Sequence, residues 1–281
     1  PPCDKGFKTS HESVHPDIEL HRQQCASPKY QATILKVDLT SDDIDFIVTP
    51  YNQRRLVTSE FAERFDAIAA VNGGFWCKKW GGYTVSNKKM WPKYGDTEDV
   101  AVMGFGGYKD GKYHIQFRPQ DEVLDKVPGW MIHAVSAMPM IMEDGEVLDQ
   151  DFSLLKGKHP RTGAGLTKDG KTLYLVTVDG RTKGWSWGLS VMDFARIFRS
   201  LGCHDAMNLD GGQSTTMVVP SEGGVVNKPC YKKGPERRVP NHIGIISAKN
   251  KDKKKSALDI LQDLTVRGLL ATLTDHLPFA S

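Results

Sequence analysis

CHDAMNLDGGQSTTMVV, residues 203–219, is the stretch on which the reading of the whole chain turns. Ala206-Met207-Asn208-Leu209 reads as a short buried strand. Asp210-Gly211-Gly212 reads as a turn whose glycines permit positive φ and a close approach of ligand to backbone. Residues 213–219 then resume as a second strand. Such a turn sets one carboxylate, Asp210, beyond a strand end among backbone N–H groups, which suits a polar ligand. Asp-Gly is also the strongest short-range hairpin signal, so a plain hairpin turn is the competing reading of the same residues.

Three other junctions repeat the pattern. Asn72-Gly73-Gly74 in AAVNGGFW, Arg161 in HPRTGAG and Asp179-Gly180-Arg181 in VTVDGR each put a polar residue beside glycine near the end of an apolar, β-favouring run. Together the junctions point to strand ends converging on one pocket. With the helix that opens at Gly188-Leu189-Ser190 and RRVPNHIGI from Arg237, these motifs resemble the phosphodiester glycosidase family over roughly residues 32–247. The ordered set is far more specific than any member of it. Gln213 stands where the family pattern has a small residue, often glycine, and narrows the expected pocket.

Composition bounds the alternatives. The chain has 281 residues, 39% hydrophobic and 25% charged, enough for one large domain or two small ones. Its 37 basic residues are offset by 34 acidic ones, leaving +3, which gives no footing for a nucleic-acid partner. No apolar run reaches the length of a membrane span. The sequence opens Pro-Pro-Cys, and a trimmed leader with an exported (periplasmic, secreted or lumenal) location is the expectation. Cys3, Cys25, Cys77, Cys203 and Cys230 show no Cys-x-x-Cys spacing, so disulfide use is favoured over a zinc ribbon. Cys3–Cys25 is the preferred bridge, because the polar segment between them lacks apolar residues to pin it down.

In chain order, residues 1–30 are expected to be irregular, 31–247 to form the catalytic domain, and 248–281 to be a lysine-rich linker with a weakly amphipathic tail. Alternation at 32–39 and 44–49 predicts an antiparallel pair. Ser59 predicts an N-cap, followed by a short helix and a buried strand at 67–71 that delivers Asn72. Residues 75–95 carry Trp76, Trp80, Tyr83, Trp91 and Tyr94, which suit either sugar stacking or anchoring of a loop to its own core. Strands are expected at 100–105, 112–118 and 130–134, with a hairpin about Asp144-Gly145. Arg161 opens a further hairpin that turns at residues 168–170 and ends at Asp179. Residues 184–188, with Trp185 and Trp187, read as a flexible loop. Val191, Phe194, Ala195, Phe198 and Leu201 mark a core-facing helix capped by Ser190, and 243–247 closes the domain. The fold class is α+β: a mostly antiparallel mixed sheet with a few packed helices.

The resemblance implies hydrolysis of a sugar 1-phosphodiester that releases an N-acetylglucosamine-like sugar from a glycan or polysaccharide phosphate. That chemistry needs a carboxylate at an oxocarbenium-like centre, for which Asp179 and Asp210 are candidates. It also needs cationic and N–H donors for the phosphate, for which Arg161, Arg238 and the backbone of Asp210, Gly211 and Gly212 are candidates. Asn72 and Asn208 are candidates for substrate hydroxyls and Ser214 or Thr215 for phosphate, with Gly73, Gly180, Trp185 and Asn241 completing the expected pocket. Two other classes fit the residues. A phosphodiesterase would use Asp179, Asn208 and Asp210 as oxygen ligands for calcium or magnesium, and a non-catalytic polysaccharide-binding module would use the tryptophans alone. His133, His159, His204 and His242 are scattered without metal-ligand spacing and read as hydrogen-bonding or core histidines.

Overall fold

A computed structural model describes residues 2–75, 82–92, 95, 97, 100–118, 122–149 and 157–249. In chain order its strands begin with β1 (Lys8–His15), β2 (Ile18–Ala26), β3 (Lys29–Asp38), β4 (Ile44–Val48), β5 (Ala67–Asn72) and β6 (Thr84–Ser86). They continue with β7 (Lys89–Met90), β8 (Ala101–Lys109), β9 (Lys112–Arg118), β10 (His133–Ala137), β11 (Met140–Glu143) and β12 (Glu146–Val147). They close with β13 (Arg161–Thr167), β14 (Thr172–Val178), β15 (Cys203–Asn208), β16 (Met217–Val219), β17 (Gly224–Val225) and β18 (His242–Ser247). Among the described residues there are two α-helices, α1 (Thr58–Phe65) and α2 (Val191–Ser200).

An eight-stranded sheet runs β1-β2-β3-β14-β13-β15-β11-β12. A five-stranded sheet runs β7-β6-β10-β8-β9, and a second runs β17-β16-β5-β18-β4. The mostly antiparallel architecture is as expected, with more β-structure than an α+β label suggests.

Period-two patterning explains how the layers stack. On β3, Leu35 and Val37 face a central core shared with Phe46 and Val71 of the β5-containing sheet and with Met103 and Phe105 of β8. Tyr30, Ala32 and Ile34 face the other way, against Phe194, Ile197 and Phe198 of α2. That helix lies close on the sheet because β13 carries Gly163 and Gly165, where a Cβ would stand 2.7 Å from the Phe194 ring and 2.5 Å from that of Phe198. Its N-cap is Ser190, which accepts from the Asp193 N–H at 3.1 Å. Helix α1 covers the outer face of the β5 sheet with Phe61 and Ala62.

Four local expectations change. Residues 1–30 are not irregular: β1 and β2 extend the large sheet, with Ile18 and Leu20 in the core and Cys3 disulfide-bonded to Cys25. Glu12–Arg22 and Glu19–Lys36 pairs across these strands replace the apolar alternation that normally betrays a strand. The bridge, spanning 22 residues, contributes on the order of 3 kcal/mol through the unfolded chain.

The pair expected between 32–39 and 44–49 does not form. β3 lies between β2 and β14, whereas β4 pairs with β18 in a different sheet. Asp38 Oδ1 turns the connecting segment by accepting from the Thr40 N–H at 2.9 Å. Helix α1 has Val57 at its N-cap, which supplies no side-chain hydrogen bond. The Ser59 N–H instead donates to the distant Glu236 carboxylate at 3.0 Å. The strand expected at 130–134 starts at His133. Beyond Lys249, whose Nζ pairs with Asp43 at 2.5 Å, the tail expectation lies outside the described residues.

Candidate active site

Strands β13, β14 and β15 are neighbours, and their antiparallel register brings the start of the first together with the ends of the others: Arg161 lies opposite Val178 and Gly163 opposite Asn208. The end of β5 is joined to the same place from the other sheet. Asn72 is fully buried, and its side-chain N–H groups donate to the Asp210 carbonyl at 2.6 Å and to that of Gly73 at 3.4 Å. Its Oδ1 accepts from Thr162 Oγ1 at 2.9 Å and from the Thr216 N–H at 3.0 Å. Every bonding position on that amide is used, so Asn72 fastens the two sheets together instead of projecting into a pocket.

The 203–219 stretch is not a hairpin. β15 belongs to the eight-stranded sheet, and β16 to the sheet built around β5. Gly212–Ser214 form a 3-10 turn in place of the start of the expected strand. Gly212 sits at φ +64°, and its N–H donates to the Pro160 carbonyl at 2.9 Å. The Asp210 N–H donates to the Gly73 carbonyl at 3.1 Å, and the Gly73 N–H to the Asn241 carbonyl at 2.9 Å. Asp210 is thereby held at the crossing between sheets.

The Asp210 carboxylate is closely surrounded by protein, although the residue as a whole is only half-buried. Burial pushes its pKa up. Ser214, the Arg237 guanidinium and the Gly211 N–H pull it part of the way back. Arg237 Nη1 in turn donates to Ser214 Oγ at 3.3 Å.

Asp179 is 4% exposed and is bonded differently. Oδ2 accepts from Trp185 Nε1 at 2.7 Å, while Oδ1 accepts from the Lys228 N–H at 2.9 Å and from Asn227 Nδ2 at 3.1 Å. Burial raises its pKa too, against the lowering by these donors.

Cations outnumber these acids. Arg161 is buried, with Nε donating to the Leu189 carbonyl at 3.1 Å and Nη2 to that of Gly157 at 3.2 Å. Burial, with the nearby Arg181 charge, brings it down to about 10, so it stays charged at neutral pH. Arg181 takes a left-handed backbone, φ 55°, that places one guanidinium nitrogen 3.2 Å from His159 Nδ1 and another alongside Gly212. A non-glycine residue held in that region marks a position fixed by its surroundings. The half-buried Cys230 lies between Arg181 and Asp179, with its thiol directed at the Gly212 carbonyl at 3.6 Å. Burial keeps that thiol protonated at neutral pH.

Other expected site residues divide. Ser214 joins Asp210, and Gly211 offers its N–H there. Gly180 packs against Pro160 and Gly188. Thr215 and Asn241 are buried beside the crossing; Asn241 Nδ2 donates to Thr84 Oγ1 at 3.1 Å. Asn208 Nδ2 bonds the Met138 and Leu209 carbonyls, both at 2.9 Å.

Arg238 is not brought to this site. It forms a two-pronged pair with Glu60 on α1 at 2.7 and 2.8 Å, exposed to solvent. Its neighbour Arg237 takes the place expected for it, because Glu236 is anchored on the first turn of α1 and successive side chains point in opposite directions. Arg181 was quoted within a motif but not singled out, and Cys230, Asn227 and Lys228 carry no local signal.

Of the 75–95 aromatics, Tyr83 and Trp91 are core anchors, Trp91 Nε1 donating to the Thr49 carbonyl at 3.0 Å. Trp76, Trp80 and Tyr94 lie outside the described residues. The loop at 184–188 is not flexible but pinned: Ser186 is fully buried and its hydroxyl donates to the Asp179 carbonyl at 2.5 Å.

The trio Asp179, Asn208 and Asp210 fits a calcium or magnesium site poorly. The Asp179 oxygens already face three N–H donors and are taken up by them, whereas the buried Asn208 Oδ1 has no hydrogen-bond partner among the described residues, so Asp179 is the member of the trio that does not fit. Among the described residues, the metal-spaced group is Asp144, His204 and Asp205, at the β11–β12 turn and the start of β15.

The model of the phosphodiester glycosidase family matches residues 65–246. The chain is 35% identical over 125 residues to the SPbeta prophage-derived protein YomE of Bacillus subtilis, covering 44% of this chain and 18% of that one. It is 25% identical over 185 residues to mouse N-acetylglucosamine-1-phosphodiester alpha-N-acetylglucosaminidase, covering 59% and 34%. The matches thus span well under half the length of these relatives. The fold is similar to the catalytic domain of the zebrafish enzyme of that name, with a TM-score of 0.61, 20% identity and coverage of 86% of this chain and 88% of that one. It is also similar to a hypothetical protein from Synechocystis, with a TM-score of 0.59, 14% identity and coverage of 86% and 64%.

Proposed function

Because the chain belongs to the phosphodiester glycosidase family, we propose that it hydrolyses a sugar 1-phosphodiester, releasing a terminal N-acetylglucosamine-like sugar from a phosphorylated glycan or polymer. One observation carries the reading: at the crossing of two sheets a carboxylate whose pKa is raised by burial, Asp210, has the Arg237 guanidinium nearby through Ser214, with that of Arg181 alongside Gly212 in the same turn. Water adds to the anomeric carbon, the C1–O bond to phosphorus breaks, and a phosphate monoester leaves with the electron pair. Phosphate is a good leaving group, so charge stabilisation matters more than strong acid catalysis.

In this mechanism Asp210 is the carboxylate that faces the anomeric centre, and the link through Ser214 to Arg237 fixes its orientation. Arg181 receives the departing phosphate, and the buried Arg161 adds positive field; the Gly211 and Gly212 N–H groups, already bonded to Asp210 and to the Pro160 carbonyl, hold the turn in place. Asp179 is a positioning anion, since its oxygens are already taken up by Trp185, Asn227 and Lys228. A substrate with a negative diester suits a pocket in which Arg161, Arg181, Arg237 and the Lys228 side chain face two carboxylates. The Cys3–Cys25 bridge supports an exported or lumenal location.

The test is incubation with a synthetic N-acetylglucosamine 1-phosphodiester in isotopically labelled water, with and without chelator. Label in the released sugar, unaffected by chelator, supports this reading. Label in the phosphate assigns P–O cleavage and overturns it.

A further inference from the structure

Hydrolysis alone leaves residues 180–188 without an explanation. The segment doubles back through paired 3.0 Å hydrogen bonds between Thr182 and Ser186, and the Ser186 hydroxyl accepts from the Gln31 and Gly188 N–H groups at 3.3 Å each. Trp187 is tied by its own backbone, its N–H donating to the Lys29 carbonyl at 3.1 Å. A loop so firmly held nonetheless leaves its largest apolar groups in water: Trp185 is 37% exposed and Trp187 50%. Ser186 is fully buried between these two exposed rings. Trp185 is engaged at Asp179, and Lys228 Nζ sits 5.3 Å from the centre of its ring. Trp187 has no such engagement in the hydrogen bonds, ring pairs or cation contacts among the described residues.

We propose that Trp187, with the cationic side chain of Lys228, forms an outer subsite for the next unit of an anionic phosphodiester polymer, one repeat out from the bond that is cut. The apolar face of a sugar ring stacks on the indole, and the adjoining phosphate lies against the lysine. A rigid aromatic costs little conformational entropy when it binds, which is why such a platform is pinned in advance. The inference rests on the phosphodiester-glycosidase reading and deepens it: the preferred substrate is a chain of repeating phosphodiesters, not a lone diester.

The experiment compares kcat/KM on a methyl sugar 1-phosphodiester with that on an oligomer of the same repeat, for the wild type, Trp187→Ala and Trp187→Phe. The wild type favours the oligomer by about tenfold or more, a preference weakened by salt. Trp187→Ala lowers the oligomer-to-monomer ratio about tenfold, chiefly through KM, and Trp187→Phe restores most of it. A wild type without preference, or a ratio that Trp187→Ala leaves unchanged, overturns the subsite. If the wild type cleaves neither substrate, the catalytic reading fails. Oligomer binding followed by tryptophan fluorescence then judges the subsite separately: binding that Trp187→Ala abolishes supports it, and binding that survives the change, or none in the wild type, overturns it.

Discussion

Asp179 and Asp210 end strands that flank β13 on either side, and burial raises both, yet the two regions around them are built for different work. Around Asp179, N–H donors from Trp185, Asn227 and Lys228 occupy both oxygens, a cage that holds a carboxylate as a fixed anion. Around Asp210, the donors are fewer: the Ser214 hydroxyl and the Gly211 N–H, with the Arg237 guanidinium more distant. A pKa raised by burial in both does not make equal reactivity. What separates them is how many bonding positions remain for a substrate.

The sharpest way to break the comparison is Asp210→Asn. Turnover should fall on the order of a hundredfold or more, as when a positioned acid or base is lost. The same change should stabilise the fold at neutral pH, with the sign fixed by linkage. The folded state holds the Asp210 proton above the ordinary 3.8, so stability falls as pH rises through the interval from 3.8 to the raised value, and the ionised carboxylate is a net cost above it. Thermal melts of the two proteins should therefore differ at pH 7 in favour of Asn and converge below about pH 3.8. A variant that melts no higher at pH 7 would contradict the desolvated position assigned to Asp210.

Next in size are Arg181→Ala and Arg237→Ala, each expected to lower kcat/KM by about ten- to a hundredfold through loss of a charged donor. Steady-state kinetics on an uncharged aryl glycoside tells whether the loss follows the phosphate, since a phosphate-directed arginine should matter less there. Asp179→Asn should cost less, about tenfold, because it perturbs a positioning group one contact removed. A shift in tryptophan emission should accompany it as the Trp185 bond weakens. Smallest is Arg238→Ala, whose pair with Glu60 is exposed and stands apart from the site. Its kcat/KM should stay within about twofold of wild type, and a larger drop would return Arg238 to the phosphate.

How much of this was legible depended on the distance along the chain over which the deciding interaction acts. Helix α2 and the β13–β14 hairpin were read correctly because their evidence is local: a stripe of Val191, Phe194, Ala195 and Phe198 under a Ser190 cap, and a turn joining adjacent strands. The pairing of β3 with β14 and of β4 with β18 is set by partners more than a hundred residues away, and nothing at 40–43 announces that the chain changes sheets. β1 escaped notice because its residues are mostly exposed, so no apolar alternation marks it. In the candidate site, the four polar-glycine junctions do come together, but they could not tell a residue that faces a ligand from one that fastens the frame. Asn72 belongs to the second kind. The choice between Arg237 and Arg238 rested on Glu236 reaching α1, a contact across 177 positions.

The passage of the backbone from one sheet to the other at Asp210 ties the fate of the proposed activity to that of the architecture. A reactive group carried on a peripheral loop can be silenced by local fraying while the body stays intact. Here the group sits where two layers are stitched together, so catalysis and global cooperativity share one point of failure, and heat inactivation should follow the melting curve instead of running ahead of it.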